Sequence, residues 1–429
     1  MSRWASLSCV ALVGAAVLAV PTAASAAEVC ETPPPVDQVV EDVPRAQTGY
    51  DPQERLWPLS RGAGVTVAVL DTGVDASHPQ LADRVDPGFD LVRGVPDATT
   101  DCSPHGTGLA GVVVAQEVPE TGFVGLAPQA RVLPVQVTDE PRVDNGGEPV
   151  STTLIAAGID TAVAEGAQVV AVGVVSYADD PELAAAVARA VTAGVLVVAP
   201  VGDAHDRDRD GAGATRLTSY PAAYDGVLGV GAADRFGGRV QTSQVGDYVD
   251  LLAPGQDVLS TGIGGQHVYQ GSAIATAFVA ATAALLVALP DADRAEPLPA
   301  TGSERVAALS DRITGTATGS SDSLRYGAGV LDPVRALAES RAADGPRLPG
   351  AVQTPPPDPA AETLATARAD AADRSGLVLA GAAALLAVAV LVAALLPRAR
   401  RRRWRAGRTP VPVRPDHPPE FLSGDALYR

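Results

Sequence analysis

The sequence predicts an α/β fold with a mostly parallel central sheet and helices on both faces, followed by a C-terminal single-pass transmembrane helix. Three observations predict it. Short β-branched runs alternate with Ala-rich stretches of helical length from about residue 61 to residue 337. Hydrophobic residues make up 46% of the 429, enough to cover a sheet on two sides. One 21-residue stretch near the C-terminus, 376–396, carries no charge. Strand and helix alternating over more than about 250 residues imply parallel strands, because each crossover helix must lie on a face.

The elements follow in order. Val65 to Leu70 reads as a buried strand and runs into Asp71-Thr72-Gly73. Gly106 to Gln116 reads as a helix. Ala130 to Val137 reads as a strand, and Pro134, lacking an N–H, places it near an edge or a bulge. Thr152 to Glu165 is a helix, Gln168 to Val175 a strand, Glu182 to Ala193 a helix and Val195 to Val201 a strand. Gly226 to Ala232 is a further strand, and the apolar Ala275 to Leu289 is a buried helix. In such sheets, sites form at the carboxyl ends of the strands.

The two ends predict where the domain sits. Arg3, an apolar run from about Ala5 to Val20, and Ala24-Ser25-Ala26 match a secretory signal peptide over 1–26. An N-terminal extension, 27–60, precedes the main domain, 61–341. Residues 342–375 are rich in Pro, Ala and Asp and suit an extended linker. At 1.5 Å per residue, 376–396 spans roughly 30 Å, the thickness of a bilayer's hydrocarbon layer. Six arginines between Arg398 and Arg405 follow it directly. By the positive-inside rule, the tail 397–429 is cytoplasmic and the body extracytoplasmic, tethered to the cell membrane. The basic tail can also touch anionic lipid of the bilayer.

Charge agrees with this division. The chain carries −18, with no Lys, so all 32 basic residues are Arg. The tail holds 9 Arg against 3 acids, a net of +6, which leaves −24 for the rest. An acidic body excludes a nucleic-acid partner, which would need a cationic face. Cys9 leaves with the signal. The remaining pair, Cys30 and Cys102, is expected to form one disulfide in an exported chain, tying the extension to the loop before His105.

Two short patterns carry chemistry. Asp71 follows a buried strand, where a carboxylate can orient an imidazole and stabilise its charged form. His105 opens His105-Gly106-Thr107-Gly108 at a helix start, and its small neighbours permit close backbone approach. Taken singly, each is more often structural. Further segments follow in order: Gly125-Leu126-Ala127-Pro128, Tyr220-Pro221-Ala222-Ala223-Tyr224, Val249 to Gly255, and Gly271 to Ala280.

Over roughly 50–340 these segments resemble the subtilisin-like serine peptidases, in the order Asp, His, nucleophile helix. The resemblance implies a subtilisin-like fold. The signal peptide, the Cys-bearing extension, Cys102, the Pro-rich linker and the membrane helix resemble the mycosin type, membrane-anchored peptidases associated with type VII secretion. A type VII secretion membrane complex is thus an implied partner, and a polypeptide an implied ligand.

The resemblance also exposes departures. The family's nucleophile motif is Gly-Thr-Ser-x-Ala-x-Pro, and here Gly271-Ser272-Ala273-Ile274-Ala275-Thr276-Ala277 stands in its place. The nucleophile position is Ala273, whose methyl group cannot attack a carbonyl. In subtilisin, which these segments resemble, loss of the nucleophile costs about 2 × 10⁶ in kcat. The family's Gly-Asn after an apolar strand, an oxyanion donor, is Gly202-Asp203 here. Losing such a donor costs roughly 10²–10³. The family's substrate-binding Ser-Leu-Gly aligns with Gly173-Val174-Val175, where bulk at Val175 crowds a peptide. Ser272, one residue early, is turned by about 100° on a helix. It reads better as a cap of that helix than as an alternative nucleophile.

The preferred expectation is a catalytically impaired peptidase homologue serving as a structural or peptide-binding subunit. The alternatives are an active serine endopeptidase using Ser272 with His105 and Asp71, and a non-enzymatic cell-surface module. No cofactor is required. Asp206, Asp208 and Asp210, followed by Gly211, match the first half of a calcium loop, but Leu217 stands where the bidentate Glu belongs. A solvated loop, self-paired through Arg207 and Arg209, is the preferred reading there.

Overall fold

The computed structural model describes residues 49–140, 150–205, 217–291, 294, 297–319 and 322–338. The chain divides into two units, 1–350 and 351–429, and all described residues belong to the first.

Seven parallel strands form the central sheet: β1 (Thr66–Asp71), β2 (Phe89–Asp90), β3 (Arg131–Gln136), β4 (Val169–Val172), β5 (Leu196–Pro200), β6 (Val227–Ala233) and β7 (Leu251–Pro254). Their order across the sheet is β2-β3-β1-β4-β5-β6-β7. After β1 the chain moves outward to β3, then returns past β1 to β4. The order therefore reverses at β1, and a crevice is expected at the carboxyl end of that strand.

The two faces are covered by different helices. The helices α1 (His105–Val114) and α4 (Ser272–Ala288) bury against Val67, Val69, Val169, Ala171, Leu196 and Val198. The helices α2 (Thr152–Ala164) and α3 (Pro181–Ala193) bury against Ala68, Leu70, Val170, Val172 and Val197. Strand side chains alternate between faces, and both faces are dry, so the strands read as continuous apolar runs. α4 is nearly buried all round, which accounts for its lack of a polar stripe. α3 shows standard end chemistry: Asp180 accepts from the amides of Glu182 and Leu183, and Gly194 closes the helix at φ 82°.

Pro134 lies in β3, whose outer neighbour β2 pairs with it over only two residues. The Val132 amide donates to Arg84 O on that side. Two residues on, Pro134 shares that orientation, so its missing donor faces the thin edge of the sheet.

Several elements differ from the expected spans. β4 ends at Val172, and Gly173, the next residue, still donates its amide to Leu70 O of β1. α4 begins at Ser272, three residues earlier than its apolar pattern indicates. The strand β7 and the antiparallel hairpin of β8 (Val258–Gly262) and β9 (Gly265–Tyr269) carry no strong alternation. Three further α-helices, α5 (Ser303–Thr316), α6 (Ser323–Tyr326) and α7 (Pro333–Ala338), follow the hairpin, and a single π-helical turn, Pro52–Leu56, precedes β1. Among the described residues no helix is long and apolar enough to cross a membrane. The spans expected for the signal peptide, linker, membrane helix and tail lie outside the described residues.

Candidate active site

Asp71 ends β1 and continues the series Val67, Val69, which faces α1 and α4. The side chain is fully buried. Its two oxygens lie 2.9 and 2.8 Å from His105 Nδ1, and Oδ1 also accepts from the Thr72 amide at 2.7 Å. A buried carboxylate accepting from Nδ1 holds the proton there and orients the ring. The His105 side chain keeps 16% exposure, so the ring sits at the surface of the crevice. Gly173 is required beside it: a Cβ there would lie 1.7 Å from Asp71 Oδ2.

Behind this pair is a second carboxylate, Asp101. It accepts from Thr72 Oγ1, Ser103 N, Thr107 N and Thr107 Oγ1. The Gly106 amide donates to Thr72 Oγ1 at 3.1 Å. Two of the amides left unpaired at the start of α1 are thereby satisfied by side chains, one from Thr72 and one from Asp101. Burial pushes the Asp101 carboxyl up to about 6, against the pull of its donors. Sequence reasoning missed Asp101. It lies six residues ahead of the helix amide it accepts from, that of Thr107, too far for a recognisable capping pattern.

The start of α4 is built differently. Gly271 precedes it at φ 116°, a backbone conformation suited to glycine. Ser272 is the first helical residue and is fully buried. Its hydroxyl donates to Asp203 Oδ2 at 2.9 Å and accepts from the Gly202 amide at 3.0 Å. Its amide donates to the same carboxylate, at 3.0 and 2.8 Å from the two oxygens. The capping carboxylate is therefore Asp203, from the end of β5, and the expectation that Ser272 itself caps the helix is corrected. Ser272 lies one residue inside the helix, past Gly271. A negative charge at this end also complements the helix dipole. Of the first three residues of α4, Ala273 alone is more than marginally exposed.

The segment 173–175 divides. Gly173 packs on Asp71, Val174 is buried, and Val175 is half-buried. Cys102 is exposed and disulfide-bonded. Its expected partner, Cys30, lies outside the described residues, as do Asp206, Asp208 and Asp210.

The structure thus brings Asp71 and His105 into contact, and brings Ser272 and Asp203 into contact. α1 and α4, which carry these groups, pack against each other. Chemically the arrangement offers an imidazole oriented by a carboxylate. At the accessible start of the neighbouring helix it offers a methyl group.

Comparison with known proteins agrees with this architecture. The chain is 35% identical over 260 residues to an intracellular serine protease of Paenibacillus polymyxa, covering 60% of this chain and 76% of the relative. Among solved structures it is similar to the MycP3 protease from the type VII (ESX-3) secretion system, at 28% identity and TM-score 0.58, over 71% of this chain and 90% of that one. It is likewise similar to MycP1 from Mycobacterium smegmatis, at 26% identity and TM-score 0.59, over 75% and 91%. A family model, the subtilase family of peptidases, matches residues 62–329, and the chain belongs to that family.

Proposed function

We propose that this subtilase is a catalytically impaired, mycosin-type peptidase homologue. It is anchored in the cell membrane with its domain outside and serves as a structural or peptide-binding subunit associated with type VII secretion. One observation carries the impairment. Ala273 occupies the partly exposed position at the start of α4, while the hydroxyl of its neighbour Ser272 is buried and bonded to Asp203 and the Gly202 amide. A serine that donates its proton to a carboxylate and lies beneath the surface is not poised for attack on a carbonyl. Asp203 adds to this, since an ionised carboxylate has no proton to offer an oxyanion.

The retained Asp71 and His105 fit a structural role, because they join the end of β1 to the start of α1. The association with secretion rests on the likeness to MycP proteases. The anchor rests on the uncharged stretch 376–396 with its arginine flank. A disulfide between Cys30 and Cys102 would hold the N-terminal extension permanently to the loop before His105.

Treatment of the purified full-length protein with a fluorophosphonate probe tests the impairment. No labelling is expected, and stoichiometric labelling at any serine overturns it. Crosslinking in membranes, followed by identification of secretion components, tests the association; their absence favours a surface module unrelated to secretion.

A further inference from the structure

Phe236 is 75% exposed, while the other large apolar side chains exposed among the described residues lie between 38% and 45%. It stands at the tip of a turn that continues β6 beyond Ala233. An antiparallel bridge joins Ala233 to Arg239 at the base of this turn. Asp234 Oδ1 accepts from the Phe236 amide at 2.8 Å and from the Gly238 amide at 2.9 Å. The Asp234 backbone closes the same turn: its amide donates to Gly238 O at 2.7 Å, and its carbonyl accepts from Gly237 N at 3.0 Å. The ring is therefore held outward on a fixed backbone.

Its neighbour adds a charge. The Arg235 guanidinium lies 4.6 Å from the centroid of the Phe236 ring, and no carboxylate among the described residues pairs with it. A cation beside an exposed ring suits a membrane interface, where the ring enters the acyl boundary and the cation meets phosphate.

Position and charge favour the bilayer over a protein partner. A Cβ on Gly237 would meet Val330 Cγ2 at 3.5 Å, and the Arg239 amide donates to Tyr326 Oη at 3.4 Å. The turn thus packs beside α6 and Val330, just ahead of α7, the last element described. From α7 the chain continues to the uncharged stretch 376–396. Leu324, on α6, adds a second exposed apolar side chain, at 43%. Outside its tail the chain carries −24, so anionic lipid would repel a broad face of the domain. A protruding ring with one unpaired cation meets no such barrier. Because a tether keeps the bilayer within reach, a weak contact suffices.

We infer that the Arg235–Phe236 turn docks the domain on the membrane surface, with the Phe236 ring at the acyl boundary and Arg235 on a lipid phosphate. The inference rests on the membrane anchoring proposed above. The contact orients the domain against the bilayer, which a tether alone does not do.

Hydroxyl-radical footprinting of the purified full-length protein tests this, in single-copy nanodiscs of phosphatidylcholine and phosphatidylglycerol and in amphipol. Phe236 should oxidise about tenfold more slowly in nanodiscs, the range for removing such a ring from water. Val92 and Val95, next to β2 at the opposite edge of the sheet, should oxidise equally in both. Arg235→Glu should speed Phe236 oxidation in nanodiscs by about fivefold, the worth of one cation at an anionic surface. Equal oxidation of Phe236 in nanodiscs and amphipol overturns the inference, and so does an Arg235→Glu variant as protected as wild type. Protection found only in native membranes also overturns it and assigns the turn to a protein partner. Resistance to alkaline extraction from vesicles reads the anchor separately. Retention with an unprotected ring removes the inference alone; extraction with an unprotected ring removes both; extraction with a protected ring removes the anchor and leaves the contact.

Discussion

The Asp203 carboxylate accepts from both the amide and the hydroxyl of Ser272, joining the end of β5 to the first residue of α4. The Ser272 hydroxyl in turn accepts from the Gly202 amide, so the link closes on the same β5 segment. Every donor in this cycle has an acceptor, in a place where water is excluded from Ser272.

Breaking the cycle should cost stability. Ser272→Ala leaves the buried Gly202 amide without its acceptor, a loss of about 1–3 kcal/mol. Asp203→Ala removes the cap of α4 and should cost about 1–2 kcal/mol. Asp203→Asn keeps one acceptor and should cost less. Urea denaturation midpoints check the order. Equal stability of Ser272→Ala and wild type would contradict the cycle.

Restoring activity should need two changes. Ala273→Ser supplies a hydroxyl at the partly exposed position, but Asp203 still opposes negative charge on a reacting carbonyl oxygen. Adding Asp203→Asn supplies an amide donor. The double variant should label with a fluorophosphonate roughly 10²–10³ faster than Ala273→Ser alone, the usual worth of one such donor. Equal rates for the two would mean that Asp203 does not act on the site.

The sequence disclosed the parts of this site whose signals are local. Asp71 follows an unbroken apolar strand and His105 opens a glycine-rich helix, so both positions were legible. The place of Ala273 at the start of α4 was legible through the register of Ala275 to Ala280. The partners of Ser272 were not, because Asp203 lies 69 residues away and reaches it only through the packing of β5 against α4. Asp101 was hidden for a similar reason: its role depends on the fold of its loop, not on spacing. The main sheet was legible from its buried strands. The β8–β9 hairpin was not, because its burial alternates only in part.

Gly173 is held as glycine by the Asp71 carboxylate. In Gly173→Ala the new methyl group would fall 1.7 Å from Asp71 Oδ2 and 2.8 Å from Leu109 Cδ2. Relief requires moving either the carboxylate or the backbone after β4. A loss of about 1–3 kcal/mol is expected, the usual cost of overpacking. The His105 side-chain NMR resonances should also shift, because its acceptor moves. An unchanged midpoint and unchanged His105 resonances would place Asp71 elsewhere.

Acid should favour the folded state through two buried carboxyls. Burial pushes Asp101 and Asp250 up to about 6, above the 3.8 of a free side chain. A carboxyl with a raised folded value binds its proton more tightly when folded. Its contribution to stability therefore grows as pH falls through about 6 and levels off below the unfolded value. A shift of this size corresponds to about 2–3 kcal/mol for each group at full protonation. His78 works the other way: burial holds its imidazole below the usual range, so the unfolded chain takes up that proton first on acidification. Comparison with Asp101→Asn isolates one carboxyl from the rest. Between pH 7.5 and pH 5, the wild-type denaturation midpoint should rise relative to that of Asp101→Asn. A gap that stays constant with pH would show that Asp101 titrates alike in the folded and unfolded chains.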